Sequence, residues 1–175
     1  MNRIIRYALY GLLSVTVLLG GAYLLRTDPI LMLPGKQLSG EEHAYPESWA
    51  FTDKHMAIKV ETNPEEPHSV TTLCFIRDGK LTIPAMDGHT KRWPRYAEHD
   101  QRVRIKVGDQ VYRAKLTLVT KNAKPFEIGP YLAPKMKDSP LPDPDELPQN
   151  IWLFEVARRW PLEPINLAFM IRRRQ

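Results

Sequence analysis

Between Arg102 and Val119 apolar and polar residues alternate with a period of two, broken once by Gly108-Asp109. Val103, Ile105 and Val107 alternate with Arg102, Arg104 and Lys106; past the turn, Tyr112, Ala114, Leu116 and Leu118 alternate with Arg113, Lys115 and Thr117. A period of two sends successive side chains to opposite faces, so this stretch predicts a half-buried antiparallel hairpin and excludes a helix. Met56, Ile58 and Val60, alternating with Ala57, Lys59 and Glu61, predict the first strand of the body. Ser69 to Arg77 is apolar or small on both faces, as a strand buried on both sides would be, and Asp78-Gly79 turns it back into Leu81 to Ile83. Ile151 to Val156 supplies a late strand, and Arg95 to His99 a short helix with Pro94 in its first turn. The body therefore reads as mainly β with short helices, folded as an antiparallel sheet or small barrel.

Ahead of it, Tyr7 to Leu25 is a run of 19 residues without a charge. As a helix it would be about 28 Å long, close to the hydrocarbon thickness of a bilayer. Arg3 and Arg6 precede the run while Arg26 and Asp28 follow it, so the positive-inside bias predicts a single-pass anchor in the cytoplasmic membrane, with the body on the extracytoplasmic side. The competing expectation is a cleavable signal peptide, for which Gly20-Gly21-Ala22 offers small residues at the cut. On this division residues 1–26 are the anchor, 27–48 a linker or arm with little function of its own, and 49–175 one domain. Prolines at 134, 140, 142, 144 and 148 make 134–148 an exposed excursion.

Several function classes have little support. Of the net charge of +5, two charges belong to Arg3 and Arg6, and Arg172, Arg173 and Arg174 sit at the end, so the body is only mildly basic and nucleic-acid binding is not implied. The single cysteine, Cys74, has no partner for an internal disulfide and reads as a small core residue. His43, His55, His68, His89 and His99 show no metal-binding spacing, and no nucleophile elbow is present. The basic residues Arg102, Arg104, Lys106, Arg113 and Lys115 read as a solvated strand face, or else as a face for a protein partner or anionic lipid.

Chemistry gathers between His68 and Trp93. Gly88, His89, Thr90, Lys91 and Arg92 bring backbone donors, a hydroxyl and two cations to a helix start, where a phosphate would be stabilised. The plain alternative is a polar connection with Trp93 as a core plug. The order of parts favours the site: a buried strand, a tight turn, a strand ending in Pro84-Ala85-Met86 and a cationic loop put anion donors beside an apolar slot wide enough for an aromatic ring.

From Trp49 to about Val156 the chain resembles the FMN-binding split-barrel superfamily, which includes pyridoxamine phosphate oxidases and deazaflavin-dependent nitroreductases. The resemblance rests on Pro67-His68-Ser69-Val70-Thr71, on the strand pair around Asp78-Gly79, on Lys91-Arg92-Trp93 before a short helix, and on the step from Asp100 into the strand that follows. It implies an antiparallel split barrel, commonly a homodimer with flavin near the subunit interface. It also implies a flavin phosphate at Thr90, Lys91 and Arg92, flanked by His89 and Trp93, and a ring along Ser69, Val70, Thr71, Pro84, Ala85 and Met86. FMN is the implied cofactor; deazaflavin, or haem on His68 or His89, is the weaker alternative, and a barrel that has lost its cofactor is a third. The expected function is a membrane-anchored extracytoplasmic reductase or electron-transfer protein acting on a small oxidised or quinone-like partner, with no particular acid, base or nucleophile indicated. The alternative is a cofactor-free module that binds through its basic face.

Overall fold

The computed structural model describes residues 3–25, 27–136 and 148–159. A 23-residue helix, α1 (Arg3–Leu25), covers the uncharged run and leaves its described apolar side chains, such as Leu12, Val17 and Leu18, in solvent. Among the described residues no helix is long and apolar enough to cross a membrane. Within α1 the side chains at positions 8, 19, 22, 24 and 25 lie outside the described residues, and the anchor expectation draws on them.

The body is one sheet. Its strands are β1 (Glu41–His43), β2 (Ala57–Thr62), β3 (His68–Leu73), β4 (Phe75–Arg77), β5 (Lys80–Met86), β6 (Arg102–Val107), β7 (Gln110–Ala123) and β8 (Ile151–Ala157). They run in the order β3-β2-β6-β7-β8-β5-β4 with antiparallel pairing along the path, and β1 adds to β7 as a parallel partner. The two ends of the path curl toward each other: the Thr72 hydroxyl on β3 donates to the carbonyl of Pro84 on β5 at 3.2 Å. The result is a curled antiparallel half-barrel with short helices, the architecture that the resemblance implies.

The hairpin pattern of the sequence is realised residue by residue. Val103, Ile105, Val107, Tyr112, Ala114 and Leu116 all point into the barrel, and β6 pairs with β7 across Gly108, whose φ of +61° suits glycine. Ile58 and Val60 are also in this core, with Trp93, Ala97 and Phe154 beside them. Asp78 and Gly79 both take positive φ, +52° and +74°, the pair of values that a tight hairpin turn with native twist requires.

Ser69 to Arg77 is the main departure. It does not form one strand: the chain breaks at the buried Cys74, so that His68–Leu73 pairs with β2 and only Phe75–Arg77 pairs with β5. Its two-sided apolar character reflects two strands at opposite ends of the sheet, and Thr71 is exposed. Met56, expected in the core with Ile58 and Val60, lies before β2 and is exposed. The helix expected over Arg95 to His99 begins earlier, as α2 (Arg92–His99), with Pro94 inside its first turn. A further helix, α3 (Pro125–Leu132), leads into a short helical turn, Ala133–Lys135, which contains Pro134; residues 137–147 of the expected excursion lie outside the described residues. α3 seats Ile128 and Leu132 on a second apolar cluster with Phe75, Ala123, Ile151 and Leu153.

The side chain of Lys135, in the helical turn after α3, is buried. Its ammonium donates to the carbonyls of Thr52 and His55 at 3.0 and 3.3 Å and lies 3.6 Å from the Cys74 sulfur. Burial raises the pKa of the Cys74 thiol despite that nearby cation.

Candidate functional site

A groove of about 240 Å³ runs between the arm that follows α1 and the open end of the half-barrel. One wall is Leu31, Met32, Leu33 and Pro34 of the arm; the other is His68, Val70 and Thr71 of β3, and Lys91 and Arg92 stand at the start of α2.

The arm is built into the fold. Asp28 accepts hydrogen bonds from Lys106 Nζ at 2.7 Å, from Lys59 Nζ at 3.0 Å and from the Ser39 backbone at 2.8 Å. Partial burial alone would raise the pKa of this carboxyl, but those donors hold it well below the usual carboxylate range. Gly35 exchanges backbone hydrogen bonds with Ser69 at 2.8 and 3.1 Å, and a side chain there would strike the backbone of Thr27 to Pro29. Leu38 is buried, and its N–H donates to Glu61 Oε2 at 2.6 Å. These contacts fix the Leu31 to Pro34 wall against β3.

The cationic end of the groove is differently made. Lys91 is the N-cap of α2, and no side chain caps the helix there. The first-turn N–H groups of Arg92 and Trp93 therefore have no capping acceptor from a side chain, while Lys91 and Arg92 carry exposed side chains. Among the described residues no carboxylate pairs with either cation. His68 packs edge-on against Tyr96 of α2 at 5.6 Å between ring centres. Burial, and then the charge of Arg92, lower the pKa of its imidazole and favour the neutral ring.

Of the residues singled out from the sequence, the groove brings together Val70, Thr71, Lys91 and Arg92. Ser69 is adjacent but buried, and its hydroxyl has no hydrogen-bond partner among the described residues. Pro84 and Ala85 are buried on β5, and Met86 packs on the second cluster. His89 is exposed outside the groove; Thr90 uses its hydroxyl locally, donating to the Asp87 carbonyl at 2.9 Å. Trp93 is a core plug, 5.4 Å from the Phe154 ring. The wall from Leu31 to Pro34 lies in the segment expected to carry little function. An apolar Leu-Met-Leu ahead of Pro34 was the signal available for it in the sequence.

A second cavity of about 240 Å³ is lined by Arg102, Arg104, Arg113 and Arg159 together with Glu42 and Glu61. Three of these arginines pair with carboxylates: Arg102 with Asp100, Arg104 with Glu61 at 2.9 Å, and Arg113 with Glu42 at 2.8 Å. With Lys106 on Asp28, four of the five cations of the predicted basic face are ion-paired. Among the described residues no cluster could hold a metal ion.

No family model matches the chain, and no curated protein does. Among solved structures it is similar to one titled F420 reductase, at 15% identity and a TM-score of 0.48, with 66% of this chain and 95% of that one covered. It is also similar to a NimC/NimA family protein from Clostridium acetobutylicum, at 14% identity and a TM-score of 0.42, with 59% and 74% covered. A pyridoxamine 5'-phosphate oxidase-related, FMN-binding protein from Nostoc punctiforme matches at 14% identity and a TM-score of 0.38, with 61% and 72% covered.

Proposed function

We propose that this protein binds a flavin in the groove between the arm and β3 and serves as a reductase or electron-transfer protein, held by α1 at the outer face of the cytoplasmic membrane. The observation that carries the flavin reading is the meeting, in one groove, of an apolar wall with two cations that have no carboxylate partner among the described residues, at a helix start that no side chain caps. Phosphate is the anion that such a helix start and two cations favour, and an aromatic ring is what an apolar wall favours. The fit is partial. The groove, at about 240 Å³, is smaller than the roughly 300 Å³ at which small-molecule sites usually begin, so it would enclose only part of a flavin.

Lys91, Arg92 and the N–H groups of the first α2 turn would hold the phosphate. Val70 and the Leu31 to Pro34 wall would flank the ring, with the Thr71 hydroxyl at its rim. A bound flavin supplies the redox chemistry; the chain supplies position and exclusion of water. The reading through a basic face has less support, because four of its five cations have carboxylate partners among the described residues.

The test is a visible spectrum of the purified full chain, followed by titration with FMN, deazaflavin and haem. Saturable FMN binding that weakens when Lys91 and Arg92 are both replaced by alanine is the expected result. Protein that takes up none of the three refutes the flavin reading, and a Soret band would transfer the site to haem.

A further inference from the structure

The arm that walls the groove exposes more contiguous apolar surface than any other described part of the body. Ile30, Leu31, Met32 and Leu33 are 56, 83, 95 and 49% exposed, and they are consecutive, whereas the other exposed large hydrophobics of the body, such as Met56, Val119 and Phe126, are scattered. Scattered exposed apolar residues are ordinary; a run of four at a tip is not.

The tip is a tight turn. Ile30 N–H donates to the Leu33 carbonyl at 3.1 Å, and Leu33 N–H returns to the Ile30 carbonyl at 2.8 Å. Leu31 takes φ of +50°, a left-handed conformation that strains a branched side chain and that glycine or asparagine would adopt more easily. The fold thus holds a leucine in strain while aiming it, with Met32, at solvent. Neither residue is there by looseness, because Asp28 on one side and Gly35 on the other fasten the turn to β2, β3 and β6.

Position in the chain names what covers the tip. Five residue steps separate the end of α1 from Ile30, at most about 17 Å of chain. The described apolar residues of α1 are exposed like the tip itself. A turn of aliphatic side chains that close to an apolar helix reaches the same boundary between head groups and acyl chains.

We infer that the Leu31-Met32 tip seats in the interfacial layer of the bilayer, so that the groove it walls opens at the level of the lipid head groups. The inference rests on the anchor reading given above. Its driving force is apolar burial, so seating requires no anionic lipid.

The test places an environment-sensitive fluorophore on Met32→Cys in the full chain, reconstituted into phosphatidylcholine nanodiscs whose acyl chains carry a nitroxide quencher. Phe126→Cys, at a position 73% exposed on α3, is the control, and a labelling pulse brief against openings of the fold leaves the buried Cys74 unmodified. The expected result is a blue-shifted probe at position 32 that is quenched at least twofold, with an unshifted and unquenched probe at 126. A chain that does not enter the nanodisc overturns the anchor reading and the inference with it. A chain that enters while the probe at 32 remains unshifted and unquenched overturns the inference alone. A blue-shifted probe without quenching also overturns it and assigns the tip to a second copy of the chain.

Discussion

Two groups of cations sit a short way apart on this half-barrel and serve different ends. On β2 and β6, Lys59 and Lys106 converge on Asp28, and Arg104 reaches Glu61; at the start of α2, Lys91 and Arg92 meet no carboxylate among the described residues. In sequence both groups look alike, as basic residues among apolar ones. The difference lies in the partner. A paired cation fastens one segment to another, and an unpaired one beside a cavity keeps its field for a ligand.

Breaking the fastened group should have the largest effect. Lys106→Met leaves Asp28 with one fewer cation in a partly buried place, and should lower unfolding free energy by about 2 kcal/mol in a denaturant titration. Because Asp28 holds the arm, the same variant should also lose FMN affinity. Lys91→Ala with Arg92→Ala should separate the two effects: FMN affinity falls by about tenfold or more, as expected for lost charge-assisted hydrogen bonds, while stability moves by no more than about 0.5 kcal/mol. Loss of stability with unchanged affinity would erase the distinction between the two groups. Arg113→Ala, which removes a half-exposed pair with Glu42, should change stability by under about 1 kcal/mol and leave FMN binding alone.

The smallest effect concerns His68. Its folded-state pKa lies below the ordinary value of about 6.5, so between the two values the unfolded chain binds more protons than the folded one. Stability is complete above about pH 6.5 and declines as pH falls through that window. His68→Gln should flatten the corresponding part of a stability profile measured from pH 7.5 to 5. A profile unchanged by the substitution would show that another group titrates there.

Much of the sheet was legible in the sequence because its evidence is local. Alternation over Arg102 to Val119 and the turn at Asp78-Gly79 depend on neighbours in the chain, and they appear as expected. The division of Ser69 to Arg77 was not legible, since a run that is apolar on both faces looks the same whether it forms one strand or two. In the site, Val70, Thr71, Lys91 and Arg92 were legible as residue types that suit a phosphate and a ring. The opposite wall was hidden because its placement depends on Asp28 reaching Lys59 and Lys106, 31 and 78 residues further along. Trp93 is next to the cations in sequence, and the helix that they begin turns it into the core, in keeping with the plain alternative of a core plug.

The enclosure of Cys74 gives this molecule a built-in clock. The chain has one thiol, fully buried, raised in pKa by burial and faced by the Lys135 ammonium, so reagents reach it only when the Lys135 turn leaves Thr52 and His55. Its rate of labelling therefore counts openings of one seam between the helical turn after α3 and the segment before β2. Comparing that rate with and without FMN would show whether events at the groove are felt at the break that follows β3.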